Sequence, residues 1–270
     1  MNQKGRVAGI ILASVVILRV SAFAQSNLSF EVASVKQNIS GQRGESLPPP
    51  KGGRFTATNV SLLHLIDYAY HVQEFQVVGA DGWLNSERYD VVAKASDNAP
   101  EGQVRLMVQS LLTDRFNLKL RRDERQLPLY VLVVGKDGLK MPRATQDCTQ
   151  ISDPSVPCGG FRIRQRSQLT GRNVPVDELI DVLALLTGRY VANKTGLSGN
   201  FDIQLEWSPD ETLALGPEPD APAMEAGNSL FTSLQKQLGL KLESQRGPVP
   251  VLTIERAEKP KASGMHGFLY

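Results

Sequence analysis

Apolar residues recur along the chain in two periods, and the order of those periods occurs twice. After Ser61, residues Leu62, Leu65, Ile66, Ala69 and Tyr70 follow the i, i+3, i+4, i+7, i+8 spacing of a helix with one buried stripe. Val176, Leu179, Ile180, Leu183 and Ala184 repeat that stripe. The letters repeat with it. RFTATNVSLLHLID at 54–67 aligns with QLTGRNVPVDELID at 168–181, pairing Thr56 with Thr170, Asn59 with Asn173, Val60 with Val174 and Leu65-Ile66-Asp67 with Leu179-Ile180-Asp181. The offset of 114 residues is too long for a solenoid, where periods run roughly 20–50. It implies two copies of one small domain.

Each copy predicts the same elements. A strand over 55–59 leads into the first helix, with Ser61 placed to cap it. In the second copy Pro175 stands at the helix start, where its missing N–H costs nothing. Strands follow over 75–79 and 88–95, matched by 189–192 and 200–207. A second helix carries Val104, Val108, Leu111 and Leu112 in one copy and Leu230, Phe231, Leu234 and Leu238, capped by Asn228, in the other. Strands over 117–120 and 239–242 come next, and a hairpin return over 128–134 and 248–254 is expected to close each unit. The expected fold is therefore α+β: two pseudo-symmetric βαββαββ units, with small mixed sheets packed against helices. An additional strand is expected over 30–36, and the PPP and GG runs make 41–53 a loop.

The N-terminus alters the compartment and the charge. Lys4 and Arg6 precede a short apolar run, and Ala22-Phe23-Ala24 offers small residues for cleavage between Ala24 and Gln25. Residues 1–24 read as a signal peptide, with an uncleaved anchor as the alternative. The apolar run falls short of the roughly 20 residues of a spanning helix, and Arg19 interrupts it. Cleavage removes three basic residues and no acid, so the formal charge moves from +2 to −1. That leaves no basic excess for binding nucleic acid. The domain plan is then unit one at 25–140, a linker at 141–160, unit two at 161–258 with a Pro-rich acidic insertion at 208–227, and a tail at 259–270. Cys148 and Cys158, the only cysteines, flank a Pro-containing stretch of the linker. In an exported chain they are expected to form a disulfide. Two thiolates with no nearby histidine would supply only half a metal ligand set.

Candidate chemistry is sparse. His64, Asp67 and His71 share one side of the first helix, as a metal triad would, but that side lies opposite the buried stripe and reads as a solvated face. Asp67 and Asp181 read as equivalent surface or capping acids rather than an acid–base couple. Ser233-Leu-Gln-Lys236, Ser96-Asp97-Asn98 and Lys194-Thr195-Gly196 reproduce the three short motifs of penicillin-binding serine enzymes, in the wrong order and on the wrong elements. Trp83 and Trp207 read as core residues. No cofactor-binding fingerprint is present.

FEVASVK (30–36), GGRFTATNVSLLHLIDYAY (52–70), GWLNSERYDVVAKA (82–95), LLTDRFNLKL (111–120), LPLYVLVV (127–134), NKTGLSGNFDIQLEWSPDE (193–211) and LGLKLESQRGPVPVLTIERAEKP (238–260) resemble an uncharacterised soil-associated secreted protein family. Each half is similar, more weakly, to the short N-terminal domain of secretins and TonB-dependent receptors, a small interaction module of the cell envelope. The resemblance implies no catalytic residue. The functional expectation is an exported, non-catalytic binding or sensing module, with an envelope protein, peptide or glycan as its unidentified partner. The alternative is an extracytoplasmic hydrolase of cell-wall or polymeric substrate.

Overall fold

The computed structural model describes residues 28–80, 82–95, 99–150, 157–165, 167–208 and 228–260. The leader with its Ala24–Gln25 site, Ser96–Asn98, and most of the 208–227 insertion and the 259–270 tail lie outside the described residues. The chain runs β1 (Val32–Gln37), β2 (Arg54–Val60), α1 (Leu62–Tyr70), β3 (Val77–Val78), α2 (Trp83–Ser86), β4 (Tyr89–Lys94), α3 (Glu101–Phe116) and β5 (Lys119–Val134). It continues through β6 (Arg162–Arg164), β7 (Gln168–Pro175), α4 (Val176–Thr187), β8 (Val191–Asn193), β9 (Asn200–Glu206), α5 (Leu230–Ser233) and β10 (Leu240–Arg256). The class is mixed α+β. Its sheets have the strand orders β1-β4-β2, β3-β10-β5-β8 and β6-β7-β9.

The repeated letters have a local physical cause. β2 pairs antiparallel with β4, with a bulge between Ala57 and Val60; β7 pairs with β9, with a bulge between Gly171 and Val174. Each bulge holds an asparagine in the left-handed region, Asn59 at φ 57° and Asn173 at φ 51°. Asparagine tolerates this conformation better than most residues. The N–H displaced from each ladder finds a carboxylate: Asn59 donates to Asp90 Oδ1 and Asn173 to Asp202 Oδ1, both at 2.9 Å. Asn and Asp therefore recur together because one bulge needs both.

The helical stripes pack as their spacing implies. Leu62, Leu65, Ile66 and Ala69 are buried in the first core, and Val176, Leu179, Leu183 and Ala184 in the second. Ser61 Oγ caps α1 by accepting from the His64 N–H at 3.1 Å. α5 is capped by Ser229, whose Oγ accepts from the Thr232 N–H, and not by Asn228. Pro175 is the N-cap of α4 itself, since β7 runs directly into the helix. Trp207 is a core residue of the second half, and Trp83 packs partly buried against the first.

The two hairpin returns do not form. β5 runs unbroken through Pro128, β10 runs unbroken through Pro248 and Pro250, and the two long strands pair antiparallel with each other. Each half therefore contributes βαββαβ with one double-length final strand. The prolines survive because of their parity. The Tyr130 N–H turns outward to the Tyr190 carbonyl at 2.8 Å, and the Pro250 carbonyl turns outward to accept from Gln76 Nε2 at 3.0 Å. Alternate residues point the same way, so Pro128, Pro248 and Pro250 all direct their nitrogens away from the ladder, where no bond is lost.

This pairing exchanges strand ends between the halves. Leu252 and Ile254, late in β10, pack on the first core, where β10 also pairs parallel with β3. Leu132, late in β5, packs in the second core, where β5 pairs parallel with β8. Even-numbered side chains of the ribbon thus face the helices. Leu129, Val131, Val249 and Val251 form a separate apolar cluster with the opposite parity. In the linker, the Cys148 and Cys158 sulfurs stand at disulfide distance, 2.02 Å, as expected. Asn173 of the second bulge donates to Cys148 Sγ at 3.6 Å.

Candidate functional site

The strand exchange leaves a cleft where the halves meet. Its walls are the end of α1 and the middle of α4, and its floor is the early part of β5 with the late part of β10 paired to it. The cleft has a volume of about 760 Å³, in the range of small-ligand pockets. Asp67, His71, Asp181, Arg122, Glu124 and Tyr190 supply its main polar groups. A second hollow of about 680 Å³ shares Asp67, Val72, Gln73 and Ala184 with it and reaches His64.

Asp67 overturns the expectation of a solvated helix face. It points between α1 and α4, and its Oδ1 is buried with no hydrogen-bond partner among the described residues. Burial, helped by the negative charge of Glu74, pushes its carboxyl up to about 8. An isolated carboxylate is costly away from water, so the group holds its proton instead. At neutral pH it is mostly an uncharged acid, able to donate one hydrogen bond and accept others.

His71 joins the halves. It ends α1 in the left-handed conformation, φ 54°, which turns its ring toward α4. Its Nε2 lies 2.8 Å from Asp181 Oδ2, and its Nδ1 meets the Arg105 guanidinium from α3. In the neutral ring this assigns the proton to Nε2, which donates to Asp181, while Nδ1 accepts from Arg105. The Asp181 hydrogen bond raises the His71 pKa, opposed by burial and by the positive charge of Arg105. Glu178, one turn before on α4, is also raised, by burial and then by Asp181. Arg105 stacks over Tyr68, 5.3 Å from its ring centre, and burial raises the Tyr68 hydroxyl to about 12.

The helical triad does not assemble as a metal site. His64 turns to Glu45, which Arg88 also engages, while Asp67 and His71 enter the cleft. Among the described residues no cluster of three or more His, Cys, Asp or Glu could hold a metal ion. The serine-enzyme motifs separate as well. Ser233 Oγ is buried without a partner among the described residues, and Lys236 Nζ donates to Asn228 Oδ1 at 2.9 Å. Ser96-Asp97-Asn98 lies outside the described residues.

Sequence reasoning missed Arg105, Arg122, Glu124 and Tyr190. For Arg122 and Glu124 a signal existed, since their i, i+2 spacing places both on one face of a strand once 119–126 is read as strand rather than turn. Arg105 carries no such signal, because only tertiary packing brings α3 against the end of α1.

A family model described as a protein of unknown function, DUF3738, matches residues 63–257. The chain belongs to this family. The match takes in both halves and every cleft element named above, so the cleft lies within the DUF3738 region itself. No curated protein and no solved structure matches the chain. Among its described residues no helix is long and apolar enough to cross a membrane.

Proposed function

We propose that this DUF3738 chain is an exported module that binds a ligand without transforming it, and that the cleft between α1 and α4 is the ligand's seat. The observation that carries this reading is the engagement of His71. Both of its ring nitrogens are committed, to Asp181 and to Arg105, so the one imidazole in the cleft is held as a strut rather than free as a base. Ser233, the one candidate nucleophile with a motif, is sealed in the second core. The disulfide-distance pair Cys148–Cys158 and the apolar leader ending at Ala24 support export. The envelope offers proteins, peptides and glycans as partners. Strand addition along the ribbon's outer edge is disfavoured by Pro128, Pro248 and Pro250 and by the charged run 121–125, features that blunt exposed edges.

The test is a thermal-shift screen of peptidoglycan fragments, glycans and short peptides on the mature chain, repeated with Ile180→Trp and Val72→Trp, which fill the cleft. Saturable binding lost in a folded cleft-filled variant supports the reading; binding untouched by both variants removes the cleft from it.

One observation favours a second reading, an extracytoplasmic hydrolase. A carboxyl with a pKa near 8 in a concave site is what general acid catalysis uses. Turnover of a glycan or ester substrate that disappears in Asp67→Asn would establish it.

A further inference from the structure

We infer that the cleft takes a short zwitterionic peptide, its carboxylate against Arg122 and its ammonium against Glu124. The inference rests on the cleft being the ligand's seat. Arg122 and Glu124 stand two residues apart on β5, so the pleat sends both side chains to the same, cleft-facing side of the ribbon. Their backbone positions are about 7 Å apart, roughly the span of two extended residues. Neither takes part in a hydrogen bond or ion pair among the described residues, although neighbouring charges in the cleft do. Asp181 holds His71, and Asp123 holds Arg121 and accepts from Thr253 Oγ1 at 2.9 Å. Among the described residues the cleft floor therefore offers one cation, near the Tyr70 ring, and one anion, neither held in an ion pair, at peptide spacing.

The third feature is Asp67. It lines the cleft, its Oδ1 is buried with no partner among the described residues, and as an un-ionised acid its carboxyl can donate one hydrogen bond to a peptide C=O or accept one from a peptide N–H. Tyr70, Tyr190, Ile180 and Leu252 add apolar and aromatic surface for the side chains. A neutral sugar would use neither free charge, and a simple anion would leave Glu124 facing it.

The experiment is calorimetric titration of the mature chain with the dipeptide alanyl-tyrosine, its N-acetyl derivative and its C-terminal amide. Arg122→Gln and Glu124→Gln are measured alongside; both positions are exposed, so the fold is retained. Blocking either terminus should weaken binding about tenfold, as expected for loss of one charge-assisted contact. Amidation should cost nothing further in Arg122→Gln, and acetylation nothing further in Glu124→Gln. Equal binding of free and blocked peptides, or no peptide binding at all, overturns the inference. If another envelope component binds and Ile180→Trp abolishes it while the dipeptide is ignored, the peptide assignment falls and the cleft reading stands. If neither Ile180→Trp nor Val72→Trp alters any binding, the cleft reading falls with it.

Discussion

His71 Nε2 and Asp181 Oδ2 stand 2.8 Å apart across the cleft, one at the end of α1 and the other in the middle of α4. These helices are the repeated elements of the sequence, yet the bonded residues are not equivalents, since Asp181 aligns with Asp67. The bond sets α1 against α4 and engages the imidazole that would otherwise be free in the cleft.

Asp181→Asn should lower the His71 pKa, followed by NMR titration of the ring. The folded value is raised, so this pair stabilises the protein at pH values below the ordinary histidine value of about 6.5, and the contribution fades as pH rises through the folded value. Both side chains are substantially exposed, 53% and 39%, so the loss at acid pH should stay under about 1 kcal/mol. Arg105→Gln should move the same resonance the opposite way, because the guanidinium opposes protonation.

Asp67 has linkage of the same sign, over a wider pH window. Its pKa rises from 3.8 to about 8 on folding, so ionisation costs stability progressively as pH climbs between those values and no further above them. Asp67→Asn should leave stability unchanged near pH 4 and raise it at pH 8 by up to about 5 kcal/mol, with a flatter profile between. Denaturant unfolding across that range decides it. A wild-type profile already flat from pH 4 to 8 would mean that Asp67 ionises freely.

The exchanged strand ends predict crossed effects. Leu252→Ala, late in the chain, should loosen the first core, and Leu132→Ala should loosen the second. Each should cost roughly 2–5 kcal/mol. Hydrogen exchange locates the damage, which should appear in α1 and β4 for Leu252→Ala and in α4 and β9 for Leu132→Ala. Effects confined to the mutated strand's own half of the sequence would contradict the ribbon.

Gly239→Ala should destabilise strongly, by more than about 2 kcal/mol. The residue sits at φ 69°, and an added Cβ would approach the Gly138 carbonyl oxygen to 2.0 Å. Thermal melting measures the loss, and Gly138→Ala is not expected to relieve it, since the obstructing atom is backbone.

Intact-mass analysis of exported protein should show a chain beginning at Gln25 with Cys148 and Cys158 both oxidised. Retention of Met1, or two thiols that alkylate without reductant, would remove export or the disulfide from the functional reading.

The sequence by itself determined what depends on neighbours along the chain. Helical stripes, the Ser61 cap and the α+β class were all legible, because periodicity and capping act within a few residues. Cys148 and Cys158 were legible as a pair because only one pairing was available. The tertiary structure decided what depends on orientation and on distant contacts. Pro128 and Pro248 read as strand starts after a turn, because sequence does not reveal which side of a strand a nitrogen faces. Only the pairing of β5 with β10 turns those nitrogens outward and lets the strands run on. The burial of Asp67 was hidden for the same kind of reason. Its side of α1 is polar in the sequence, and it leaves solvent only because the exchanged ribbon brings α4 against it, where desolvation rather than any neighbouring letter fixes its charge.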